Sequence, residues 1–163
     1  MKFLKNDYIR QSFITGLIVF ALYLGITHVF HPFIVSGNSM QPTYHSGQIV
    51  TTITTYSQSD IKAGSVVILK ESGKKLIKRV VGVPGDTLVI IDGVLYINGE
   101  KDDSEFAAID VAGVLSQELI LNNNEYFVMG DNREADNSRD SRAFGTVSYE
   151  QIIGIVDKTI GER

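Results

Sequence analysis

The feature that most constrains this chain is the stretch from Phe13 to Phe30, 18 residues without one formally charged side chain. As a helix it would span roughly 27 Å, at about 1.5 Å per residue, close to the thickness of a bilayer core. Lys2, Lys5 and Arg10 precede it, with Asp7 as the only opposing charge. The positive-inside rule then keeps residues 1–12 in the cytoplasm, makes 13–32 a transmembrane anchor and puts 33–163 outside. Two other readings compete. A buried core helix is seldom apolar on every face. A cleavable signal peptide has a shorter apolar region followed by small residues, whereas His31-Pro32-Phe33-Ile34-Val35 is bulky. An uncleaved anchor is the better reading.

Beyond Phe33 the pattern turns from helical to strand-like. Gln48–Thr54, Ser65–Leu69, Leu76–Val83 and Thr87–Ile91 are rich in Val, Ile, Leu and Thr, which suit a pleated, half-buried surface. Asp92-Gly93 and Asn98-Gly99 are tight-turn signals on either side of a strand at Val94–Ile97. Glu125–Met129 and Ile152–Val156 complete the set, and Phe106–Leu115 reads equally as loop or short helix. Many short strands at close spacing predict a mainly β domain, a sandwich or barrel.

Composition narrows the chemistry. With no cysteine, disulfides, thiolate metal sites and cysteine nucleophiles are excluded. A net charge of −4 gives no pull toward nucleic acid. The three histidines, His28, His31 and His45, lack the neighbouring ligands of a zinc site. No metal or other cofactor is expected.

Three polar clusters remain. In Ser36-Gly37-Asn38-Ser39-Met40-Gln41-Pro42-Thr43, Gly and Pro flank a serine that a turn could expose; most loop serines, however, only bond backbone. In Leu76–Asp86, Lys78 sits inside an apolar strand, with Ile77, Arg79 and Val81 on one face and Lys78 and Val80 on the other. It is either an outward, solvated lysine or a buried one. Burial would disfavour the ammonium and free a neutral amine to act as a base. In Gly130-Asp131-Asn132-Arg133 and Ser138-Arg139-Asp140-Ser141-Arg142, Asp and Arg alternate, as in a solvated loop or a buried ion-pair frame.

Together and in this order, the clusters resemble the type I signal peptidase family over nearly the whole chain. The S-M-x-P-T box stands as Ser39–Thr43, the K-R-V-x-G-x-P-G-D box as Lys78–Asp86, and the G-D-N-R and S-x-D-S-R elements as Gly130–Arg133 and Ser138–Arg142. The resemblance implies a β-rich protease domain on the outer membrane surface, of the compact Gram-positive type, that removes signal peptides from exported preproteins. It implies Ser39 as nucleophile and Lys78 as general base, with Ser138 orienting the Lys78 amine. Asp140, Arg142, Arg79 and Asp131 would form a supporting salt-bridge frame. One departure stands out: four residues, Glu134–Asn137, separate Arg133 from Ser138, where the family commonly has two.

The chemistry is coherent as a serine–lysine variant of triad logic. Neutral Lys78 takes the Ser39 proton, and the Ser39 backbone N–H is the expected oxyanion donor. Ile34, Val35, Met40 and Ile77 flank the pair; they are either walls of shallow pockets for small residues or ordinary core. An extended substrate would pair with an exposed strand edge. The expected partners are signal peptides and the lipid bilayer. A rival reading is a signal-peptidase-like assembly factor for pili or other surface proteins with little or no proteolysis; a peptidase restricted to pilus proteins is a third.

Overall fold

A proline and the residue before it both resist the α conformation, so the first helix has to end near His31-Pro32. In the computed structural model, described for residues 2–104, 106, 109–134 and 137–160, with backbone alone at 2–7, 22–30 and 158–160, helix α1 covers Lys2–Val29 and strand β1 covers Phe30–Ile34. The helix therefore stops short of the expected anchor boundary at Pro32. Phe30, His31 and Pro32 instead pair with Ile53, Thr52 and Thr51. Pro32 is tolerated because β1 is an edge strand, where a missing N–H costs no ladder bond on the outer side. The apolar side chains described on α1 lie in the open: Phe13 is 70 % exposed and Val19 60 %. Among the described residues no helix is long and apolar enough to cross a membrane; for residues 22–30 of the expected span the side chains lie outside that description.

The β-branched runs form strands β2 (Ile49–Ile53), β3 (Val66–Glu71), β4 (Lys74–Gly82), β5 (Thr87–Ile91) and β6 (Val94–Ile97). The short β7 (Glu100–Lys101) and β8 (Leu119–Ile120) follow, then β9 (Glu125–Met129), β10 (Val147–Ser148) and β11 (Ile152–Ile160). A one-turn helix, α2 (Ser141–Phe144), lies between β9 and β10. Two antiparallel sheets result, a seven-stranded one ordered β1-β2-β11-β3-β4-β9-β10 and a four-stranded one ordered β7-β6-β5-β8. Asp92 and Gly93 take φ of 49° and 77° and close the β5–β6 hairpin with Ile91 opposite Val94. Two left-handed residues in a row are what a two-residue hairpin needs to match strand twist. The mainly β expectation is met. Among its described residues, the Phe106–Leu115 stretch carries only the start of a 3-10 turn at Gly113–Ser116.

The apolar interior forms three clusters, and β4 feeds all of them. Ile77 packs with Val35, Met40, Val50, Val66 and Ile68. Val80 joins Val67, Leu69, Tyr126 and Val128. Val81 joins Leu88, Leu115, Leu121 and Phe127, which ties the small sheet to the large one. Both faces of β4 are therefore covered, and one polar side chain in its middle is buried, while Arg79 keeps 20 % of its side chain exposed.

Candidate active site

Lys78 is that polar side chain. It is 2 % exposed, and its Nζ lies 2.7 Å from Ser39 Oγ. Burial is the largest influence on the amine and pulls its pKa from 10.5 down to about 8. The carboxylates of Asp140 and Asp131 oppose that fall, and Arg142 adds to it.

Ser39 reaches Lys78 because its loop is tied at both ends and in the middle. Val35 N–H donates to the Gln48 carbonyl and Gly47 N–H to the Val35 carbonyl, so the loop returns to its start. Gln41 N–H to Asn38 and Tyr44 N–H to Met40 fold the segment into consecutive turns. Gly37 stands at φ +84°, a conformation costly for a residue with a Cβ. Met40, 1 % exposed, pins the loop into the core. The third cluster then grips the serine itself: Asn132 N–H donates to the Ser39 carbonyl at 3.1 Å. Gly130 lies beneath, and a Cβ there would overlap both the Ser39 carbonyl oxygen and Ser138 Oγ. Among the described residues the Ser39 N–H has no protein acceptor, which leaves it available to an oxyanion.

The Asp–Arg cluster resolves into two bidentate pairs. Arg79 Nε and Nη2 donate to Asp131 Oδ1 and Oδ2, each at 2.7 Å. Arg142 Nε and Nη2 donate to Asp140 Oδ1 and Oδ2, each at 2.9 Å. Such forks add geometric specificity to a charge-assisted bond. Asp140 also accepts from Gly130 N–H at 3.0 Å and caps α2 by accepting from Arg142 N–H at 3.2 Å. Burial pushes the Asp140 carboxyl up, but these bonds outweigh it and hold the group below its ordinary value. The Asp131 bonds raise the Arg79 guanidinium. Ser141 Oγ accepts from Val128 N–H and fastens α2 to β9.

Ser138 sits beside Gly130, but its hydroxyl donates to Asp140 Oδ2 at 2.7 Å. No Ser138–Lys78 hydrogen bond is present among the described residues, so its contact with the site runs through Asp140. Of the four expected wall residues, Val35, Met40 and Ile77 are buried core, at 1 %, 1 % and 4 % exposure, and only Ile34, at 63 %, faces solvent.

Phe106 and its stacking against Arg133 escaped sequence reasoning. Arg133 is 2 % exposed, and among the described residues its Nε and Nη2 have no hydrogen-bond partner. Its guanidinium lies 4.9 Å from the Phe106 ring centroid, and Arg79 lies 5.3 Å from the same ring. The π face of Phe106 thus stands in for an acceptor. Burial lowers the Arg133 pKa, opposed by Asp102 and Asp131. Phe106 lies in a stretch with no periodicity, so no sequence signal marked it.

Comparison with known proteins gives the family. The family profile described as "Signal peptidase, peptidase S26" matches residues 6–160. Signal peptidase I of Bacillus amyloliquefaciens is 34 % identical over 151 residues, covering 84 % of this chain and 80 % of the relative. Signal peptidase IB of Staphylococcus aureus (strain COL) is 32 % identical over 144 residues, 77 % of this chain and 74 % of the relative. A crystal structure of a signal peptidase I from Enterococcus faecalis aligns with TM-score 0.48 and 24 % identity, over 59 % of this chain and 96 % of that one. The chain belongs to the signal peptidase family, peptidase S26, and its class is that of the serine-type signal peptidase I, which removes signal peptides from preproteins.

Proposed function

We propose that this chain is a membrane-bound serine endopeptidase that cuts signal peptides from exported preproteins with a Ser39–Lys78 dyad. The observation that carries the proposal is the 2.7 Å approach of a buried lysine amine to a loop serine hydroxyl. A lysine with pKa about 8 is partly neutral at physiological pH, and a neutral amine can take the hydroxyl proton as Oγ attacks the scissile carbonyl. The ammonium so formed protonates the leaving amine. Lys78 then activates the water that releases the acyl group. Asp131, Arg79, Asp140, Arg142 and Ser138 act as positioning residues for the two reacting groups.

The membrane reading rests on the uncharged run Phe13–Phe30, its basic N-terminal flank and the exposed apolar side chains of α1. It makes the protein single-pass, with residues 1–12 cytoplasmic and the protease domain on the outer face. The full chain should cleave a synthetic signal-peptide substrate, and Ser39→Ala and Lys78→Ala should each lose at least about a thousandfold in kcat/KM, in line with loss of a nucleophile or its base. In cells the chain should remain in the pellet after alkaline carbonate extraction. Wild-type protein without cleavage, or a soluble chain, overturns the corresponding part.

A further inference from the structure

We propose that Asn132 and Asn137 are positioning residues that aim the Ser39 backbone N–H at the oxyanion. Asn132 clamps the peptide units on both sides of Ser39, and Asn137 holds the Asn132 side chain. This rests on the Ser39–Lys78 reading.

The clamp follows from peptide geometry. The Asn38 carbonyl and the Ser39 N–H share one planar peptide unit and point in opposite directions, so whatever fixes the carbonyl also fixes the N–H. Ser36, Gly37 and Asn38 are exposed, so core packing does not hold this unit. Asn132 Nδ2 donates to the Asn38 carbonyl at 3.4 Å. The Gln41 N–H donates to the same oxygen at 3.1 Å, which its two lone pairs allow. That bond shapes the turn but moves with it, whereas the Asn132 bond ties the turn to the segment after β9. The Ser39 carbonyl belongs to the following peptide unit, and Asn132 N–H donates to it at 3.1 Å. One residue thus holds both units that flank the Ser39 Cα, while Lys78 holds the hydroxyl.

Asn132 can do this only with its amide turned the right way, and Asn137 sets that sense. Asn137 Nδ2 donates to Asn132 Oδ1 at 3.3 Å and to Glu134 Oε2 at 2.9 Å, which uses both of its hydrogens. A carboxylate and a backbone carbonyl only accept. Glu134 at one end of the row and the Asn38 carbonyl at the other therefore fix the orientation of both amides between them. Asn137 N–H also donates to the Glu134 carbonyl at 3.4 Å and folds this segment into a turn. Glu134 and Asn137 are the first and last of the four residues between Arg133 and Ser138, so this longer spacer supplies the brace for the clamp.

The test measures kcat, KM and the pH profile for cleavage of one synthetic signal-peptide substrate by the full chain, by Asn132→Ala, by Asn137→Ala and by the double variant. A lost oxyanion donor costs about a hundred- to a thousandfold in kcat, and a donor left in place but free to turn costs less. Asn132→Ala should lose about tenfold in kcat and Asn137→Ala about threefold, each with KM within about twofold of wild type. The midpoint of the pH profile should stay where it is, because Lys78 is untouched. The double variant should fall no further than Asn132→Ala, since Asn137 acts through Asn132. Asn137 is exposed, so Asn137→Ala should melt with wild type and carries the test even if Asn132→Ala fails to fold. A wild-type kcat in Asn137→Ala, losses that multiply in the double variant, or a loss carried by KM or by a shifted midpoint overturns the clamp with the dyad intact. A wild type that does not cleave overturns the Ser39–Lys78 reading itself, and the clamp with it.

Discussion

Arg79 and Asp131 meet through two parallel 2.7 Å hydrogen bonds, one residue along β4 from Lys78. The Asp131 side chain has no exposed surface, and that of Arg79 has 20 %. Breaking such a pair from one side leaves a charge without its partner, which typically costs about 3–5 kcal/mol. Asp131→Ala should therefore lower unfolding stability by that order in a urea titration. Because Asp131 also holds the Lys78 pKa up, the variant's kcat/KM profile should shift to lower pH. A loss under about 1 kcal/mol would show that the pair carries little.

The base predicts its own pH dependence. In the proposed mechanism Lys78 works as the neutral amine, so kcat/KM should climb tenfold per pH unit at low pH and level off above about 8. A rise that continues toward the ordinary value of 10.5 would mean that the amine is solvated during turnover.

The same shift has a stability cost with a definite sign. The unfolded chain binds the Lys78 proton up to its ordinary pKa of 10.5, the folded chain only up to about 8. Folding is penalised in full below about 8, and the penalty fades as pH rises toward 10.5. Lys78→Met should then be inactive yet more stable at pH 6, by up to about 3 kcal/mol at 1.36 kcal/mol per unit. Its advantage should shrink above pH 8. A destabilised Lys78→Met at pH 6 would count against a buried, desolvated amine.

How much of this was legible in the sequence depends on what each residue's neighbours had to be. Hairpins at Asp92-Gly93 and Asn98-Gly99 were readable because left-handed backbone needs those residue types. The ends of β5, β6 and β9 fell where their apolar runs end. Lys78 was harder: alternation put it opposite Ile77, but both faces of β4 are covered, so facing said nothing about burial. The Asp–Arg alternation suggested a frame, and only the fold shows that it pairs as 79 with 131 and 140 with 142. Ser138's bond to Asp140 and the core positions of Val35, Met40 and Ile77 depend on long-range packing that no local pattern records. The end of α1 at Val29 was implicit in Pro32, because a proline and the residue before it resist continuing a helix.

Phe106 gives a prediction that pattern reasoning would not have made. Its ring serves two guanidiniums, and each desolvated cation–π contact is worth about 1–2 kcal/mol. Phe106→Leu keeps the apolar bulk and loses the π face, so it should cost about 2 kcal/mol in unfolding stability. Phe106→Tyr should stay within about 0.5 kcal/mol of wild type, because the face is kept. Equal loss in both would assign the residue to packing alone.

The central claim is that Ser39 carries the acyl group and Lys78 makes it nucleophilic. Mixing the full chain with a signal-peptide substrate, quenching in acid within the first turnovers and mapping the protein by mass spectrometry reads this directly. The account predicts the mass of the substrate's acyl half on Ser39 in the wild type, and none in Lys78→Ala. Acyl mass on any other residue, or substrate cleavage retained in Ser39→Ala, would contradict it.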